Sequence, residues 1–162
     1  SDQSLAMLED ASNDEIEILG AIPYQNNQVV LHTDINLMPK KKLAWAAWNY
    51  HLTEQPLNLA AVTYNMNILQ SLESPEPFLV TLNHTAKINP NKIIKTLHYT
   101  HPVFTPEGIA AQLRHEDISG VNRTGYAGAY WRNGFHEDGV ASALAALEHF
   151  NQAQYKDATR HD

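Results

Sequence analysis

The spacing of apolar residues changes several times along this chain, and each change marks a new kind of element. "SDQSLAMLED" sets Leu5 and Leu8 about one turn apart, and "SNDEIEILGA" repeats the signal with Ser12, Asn13 or Asp14 as cap and Gly20 as stop. Two short helices are expected. Residues 28–34 and 43–52, the latter "LAWAAWNYHL", are rich in β-branched and aromatic side chains and flank the turn-like "INLMPKKK", which predicts a long-looped hairpin. In "VTYNMNIL" strict alternation puts Val62, Tyr64, Met66 and Ile68 on one face and Thr63, Asn65 and Asn67 on the other. The first face is assigned to the core; the second either meets water or lines a pocket that needs uncharged amides. "PEPFLVTLN" and "KIIKTLHYTHPVF" add two strands, bounded by Pro75, Pro77, Pro90 and Pro102, which limit pairing where they stand.

After this sheet the helical period returns. "PEGIAAQLRHED" starts with Pro106 at a permitted early position, carries Ile109 and Leu113 on one stripe, and ends near Gly120. "YAGAYWRNGFHEDGVASALAAL", residues 126–147, then reads as a short buried strand, a break at Gly134 and a helix behind an acidic pair. Val140, Leu144, Leu147 and Phe150 predict that helix's core-facing stripe. The whole reads as α+β: an antiparallel sheet flanked by helices.

Composition narrows the class. The chain has 162 residues, 43% hydrophobic and 18% charged, enough for a sizeable core. Eighteen acids against eleven bases give a net charge of -7, and no basic block exceeds "KKK", so nucleic acid and anionic lipid are not expected partners. No apolar run is long enough for stable membrane insertion, and the first twenty residues are too acidic for a signal peptide. A cytoplasmic protein is expected, and the absence of cysteine agrees with a reducing compartment.

Nine histidines raise the question of a metal, but His98 and His101 on a strand project to opposite faces, so no metal site is expected. No serine sits in G-x-S-x-G, and neither GxGxxG nor a Walker loop occurs. Glu137 and Asp138 have a structural reading as carboxylates in a helix's first turn. Gly128, Gly134 and Gly139 bracket them and remove side chains where a ligand could approach the backbone, with Tyr130, Trp131 and Phe135 as flat walls. A flat, electron-rich cofactor would account for both features.

"NRTGYAGAYWRNGFHEDGVASALAAL" resembles the C-terminal signature of flavin-containing amine-oxidase-like proteins. With "YQNNQVVLHTDINLMPKKKLAWAAWNYH", "VTYNMNILQSL", "LVTLN" and "THPVF" the chain looks more narrowly like the FAD/NAD(P)-binding oxidoreductases often associated with cyclopropane fatty acid synthases. The resemblance implies a C-terminal fragment: residues 1–20 as a helical connection from a missing FAD-binding half, 21–105 as a substrate-binding sheet domain, and 106–162 as the helix, strand and helix that complete a Rossmann-like FAD domain lacking its GxGxxG part. It implies FAD in the full-length parent, absent from this chain alone, with hydride transfer from a small-molecule or lipid-like substrate. Gly128, Ala129, Gly134 and Phe135 would lie along the cofactor, and Asp138, Gly139 and Val140 would begin the helix whose N–H groups meet the flavin. Ala129 stands where related enzymes often carry an acid. The carboxylates of Glu137 and Asp138 are expected to cap the helix or turn outward, since they would repel a reduced flavin.

His136 is the candidate catalytic group, against a reading as a hydrogen-bonded structural histidine. Tyr50, Tyr64, Asn65 and Asn67 are the candidate pocket lining. The partner implied is the missing FAD-binding segment, with homo-oligomerisation through exposed surface a further expectation. The alternatives are a non-catalytic small-molecule or lipid-binding α+β module and a histidine-based metal hydrolase.

Overall fold

The computed structural model describes residues 1–53 and 59–159. The chain is α+β and divides into two compact units, Ser1–Gln25 with Pro102–Asp162, and Asn26–His101.

The first unit is helical. Helices α1 (Asp2–Ala6) and α2 (Asn13–Gly20) form where expected, and α2 opens on a capping box: Glu15 N–H donates to Ser12 Oγ at 3.3 Å while Ser12 N–H donates to Glu15 Oε2 at 2.7 Å. Helix α4 (Pro106–Gln112) is capped by Thr105, whose hydroxyl accepts from Gly108 N–H at 3.0 Å, and a short α5 (His115–Ile118) follows. Ile18, Leu19, Ile22, Ala111 and Ile118 make its core with Tyr126, Tyr130 and Trp131. Ile109 and Leu113 do not join them, at 50% and 82% exposure. Gly108 and Ala111 are the buried face of α4 instead, and α5 begins after Arg114.

Two corrections concern the C-terminal segment. Residues 124–128 form no strand, since a strand needs a ladder partner and they pair with none among the described residues; a single 3-10 turn, Ala129–Trp131, follows. Helix α6 (His136–Thr159) is present, but Val140, Leu144 and Leu147 face outward at 56%, 63% and 60% exposure. Its buried face is Asp138, Ser142 and Ala146, four residues apart each time.

Strands β1 (Tyr24–His32), β2 (Trp48–Tyr50), β3 (Val62–Asn65), β4 (Leu79–Leu82) and β5 (Ile93–Pro102) form one sheet in the order β2-β3-β4-β1-β5. β1 runs antiparallel to β4, β3 to β4 and β2 to β3. The expected hairpin between β1 and β2 does not form: β1 lies beside β4 and β5, while among the described residues β2 pairs with β3 alone, Asn49 opposite Thr63. A strand with Val30 and His32 fully buried needs neighbours on both sides, and the three-residue β2 sits at the edge.

"VTYNMNIL" is also redrawn. It is extended only to Asn65, whose side chain accepts from Ile68 N–H at 3.2 Å and starts the helical turn α3 (Met66–Leu69). The face assigned to water or a pocket is the buried one, Thr63 at 0% and Asn65 at 1% exposure. Thr63 stands opposite Thr81, and their hydroxyls are 2.7 Å apart, so burial leaves neither unpaired.

The helical unit is closed by a hydrogen bond from the Tyr126 hydroxyl to the buried Glu15 carboxylate. That bond holds the Glu15 carboxyl below its usual range, with the Ser12 contacts adding to it, while burial and Glu15 push the Tyr126 phenol well up. Because Glu15 is depressed in the folded state, its contribution is present above the unfolded carboxyl pKa of about 4.3 and disappears as pH falls from there through the folded value. Glu15→Gln is expected to cost about 2 kcal/mol at pH 7, typical of a hydrogen bond to a charged group. In urea titrations at stepped pH the gap between variant and native protein should shrink towards pH 3; a gap independent of pH would refute the assignment.

Candidate functional site

The start of α6 is built by the turn before it. Gln112 donates through Nε2 to the carbonyls of Tyr130 at 2.8 Å and Arg132 at 2.9 Å, and the His115 imidazole reaches the Tyr126 carbonyl at 2.6 Å. Since a carbonyl only accepts, His115 carries its proton on Nε2, and its ring stacks on Trp131 with centroids 4.1 Å apart. Ser142 accepts from Gly128 N–H at 2.9 Å and donates to the Gly139 carbonyl at 2.8 Å, fastening the loop to the helix.

The three glycines have three different reasons. A Cβ on Gly128 would lie 2.3 Å from the Tyr130 ring, so this glycine makes room for the protein's own aromatic side chain. Gly134 has φ +90, the left-handed region that favours glycine, and there the chain turns into α6. A Cβ on Gly139 would meet only Ala129 N, at 3.9 Å, so no described residue requires glycine in that first turn. Gly128 has its N–H engaged by Ser142, and its carbonyl accepts from Trp131 N–H at 3.2 Å.

The acidic pair divides. Asp138 is 9% exposed and accepts from Phe135 N–H at 3.0 Å, a cap within the turn, whereas Glu137 faces solvent. Phe135 and Val140 are exposed beside them, Ala129 is half-buried, and His136 is exposed at the first helical position. Among the described residues no hydrogen bond or ion pair engages the His136 ring.

A second constellation lies wholly within the sheet unit. A cleft of about 1050 Å³ is lined by Tyr50, His51, Leu52, Leu59, His84 and Lys87 among others. Of the four candidate pocket residues, Tyr50 lies along this cleft. Tyr64 instead packs edge-on against Trp48 at 5.4 Å, Asn65 caps α3, and Asn67 accepts from Phe78 N–H at 2.7 Å and donates to the Glu76 carbonyl at 3.2 Å. Those amides are architectural.

His51 and His84 stack at 5.1 Å. Burial pushes both imidazoles below their ordinary range, helped by His84 at His51 and by Lys87 at His84. Behind His51 the fully buried Thr63, Thr81 and His32 continue inward in hydrogen-bond contact. Linear spacing gave no sign of this group, because its four members come from β1, β3, β4 and the segment after β2. Among the described residues no group of histidine, cysteine or carboxylate side chains could hold a metal ion, and no helix is long and apolar enough to cross a membrane.

No protein-family model matches the chain, and no curated protein matches it.

The glycine geometry predicts opposite outcomes for two similar changes. Gly128→Ala forces a methyl into the Tyr130 ring and should cost about 2 kcal/mol, within the range for overpacked sites. Gly139→Ala meets no close neighbour and should gain up to about 1 kcal/mol from helix propensity. Denaturant midpoints of the two variants are the measurement, and equal midpoints would contradict the packing described.

Proposed function

We propose that this chain is the C-terminal part of an FAD-dependent oxidoreductase of the amine-oxidase-like class, which oxidises a small or lipid-like donor by hydride transfer to flavin. The observation that carries the reading is the packing of α6. A helix with one covered side turns its large apolar residues inward. Here Ser142 and Ala146 are inside, and Val140, Leu144 and Leu147 are outside. An apolar stripe left facing outward calls for a further layer of protein. In this reading the layer is the FAD-binding segment of the parent, and residues 124–128 become a strand once its neighbours are present.

The helix start fits the cofactor in two respects. Gly139 leaves the first turn bare without an internal packing reason, and the Asp138 carboxylate is folded back onto Phe135 N–H rather than projected forward. The amides of that turn favour negative charge, as reduced flavin carries near its C2 carbonyl. FAD, when bound, supplies the hydride acceptor. The part of Phe135, Gly139 and Val140 is to wall the ring and exclude water. Gly128, with both backbone groups engaged, serves only as the space that lets Tyr130 pack. A non-catalytic binding module is the second reading, and it rests on the cleft in the sheet unit.

The test is to produce the chain joined to whatever segment its reading frame encodes upstream, and to measure bound flavin by visible absorption. Flavin should co-purify with the joined protein. Leu144→Asp on the outward stripe should remove it, and Gly139→Val should lower its affinity about tenfold, a loss of about 1.4 kcal/mol. A colourless joined protein, or flavin retained undiminished by both variants, would overturn the proposal.

A further inference from the structure

A line of buried polar side chains crosses the sheet unit from Asp34 to His51. Asp34 N–H donates to His32 Nδ1 at 3.0 Å, and His32 Nε2 lies 2.7 Å from Thr81 Oγ1. Thr81 Oγ1 is 2.7 Å from Thr63 Oγ1, which is 2.7 Å from His51 Nε2. His32 is fully buried, and burial favours its neutral form. A neutral imidazole holds one proton, and Nδ1 is accepting from the main chain, so the proton is on Nε2 and points at Thr81. Each hydroxyl has a single proton to give. In the head-to-tail arrangement Thr81 donates to Thr63, and Thr63 donates to His51 Nε2. Neutral His51 is left with its proton on Nδ1 and its other nitrogen satisfied from behind.

The rest of the cleft divides into engaged and available groups. Asn83 accepts from Gln28 N–H and donates to the Asn27 side chain and the Ala60 carbonyl, and the Gln28 side chain accepts from Thr85, so these amides serve the fold. Besides Asn26, Thr53, Ala86 and His98, the cleft presents His51, the stacked His84 and the Lys87 ammonium, beside the apolar surfaces of Tyr50, Leu52 and Leu59. In a chain of net charge -7, none of the described lining residues is a carboxylate. Tyr50 and Leu52 are 66% and 93% exposed beside this concave surface.

We propose that this cleft binds a small organic acid with an apolar tail: the carboxylate accepts from His51 Nδ1–H and faces Lys87, and the tail lies along Tyr50, Leu52 and Leu59. Thr63, Thr81 and His32 are positioning residues that fix which nitrogen of His51 donates. The site lies within one unit and requires no flavin, so its test stands or falls apart from the oxidoreductase reading.

The probe is octanoate, titrated into the 15N-labelled chain, with octanol as the uncharged match. Saturable shifts at His51, His84 and Leu59 are expected with octanoate, and binding about tenfold weaker with octanol, a difference of about 1.4 kcal/mol. Imidazole 15N spectra of the free protein should show His51 protonated at Nδ1 and bare at Nε2. Thr63→Val should release that preference and weaken octanoate without changing octanol. Lys87→Gln, an exposed change that spares the core, should weaken octanoate alone. Octanol binding as tightly as octanoate, no saturation, or His51 protonated at Nε2 in the free protein would each overturn the proposal.

Discussion

A polar side chain cut off from water must find its partner inside the protein, and in each unit of this chain one such pairing joins distant segments. In the helical unit the Tyr126 hydroxyl meets Glu15 across 111 residues of sequence. In the sheet unit Thr81 meets His32 across 49. Leaving either partner behind would cost about 1 to 3 kcal/mol, a large fraction of a domain's net stability. The segments must therefore arrive together. Tyr126 brings with it the loop that Gln112, His115 and Ser142 then pin, and the whole start of α6 inherits its position.

That position explains the reversal of α6. Gly125 lies beside Ala146, and Gly128 is hydrogen-bonded to Ser142, so the loop approaches the helix too closely for large side chains between them. Only the small face fits inward. The larger residues are displaced outward by this close contact, and their exposure follows from the loop rather than from any weakness of the helical pattern. The same geometry leaves Gly139 without a close neighbour, so the outward apolar stripe and the bare first turn of α6 follow from one packing decision.

The sheet unit reaches a different solution with the same constraint. Thr63 and Thr81 stand directly opposite each other on adjacent antiparallel strands, where cross-strand side chains are closest. Two hydroxyls there form a bridge rather than a packing fault. A histidine stands at each end, and the main-chain N–H of Asp34 donates to the far nitrogen of His32. A fixed donor in a concave surface is what specific recognition of an acceptor requires, since no reorganisation is needed when the ligand arrives.

The sequence by itself determined the local elements. The Ser12 capping box, the Thr105 cap with Pro106 behind it, the alternation at Val62 to Asn65 and the acidic start of α6 each act within a few residues, where propensity and capping dominate. It also showed the α+β class, because helical and extended periods alternate along the chain. It did not determine which face of an element turns inward. "VTYNMNIL" has an apolar and a polar face, and apolar burial alone would choose the first; the second was chosen because Thr81 and His51 came from other strands and segments to satisfy Thr63. Likewise Val140, Leu144 and Leu147 read as core until Gly128 and Ser142 close the opposite side. Orientation of a two-faced element depends on partners distant in sequence, and only the tertiary structure brings those partners into contact.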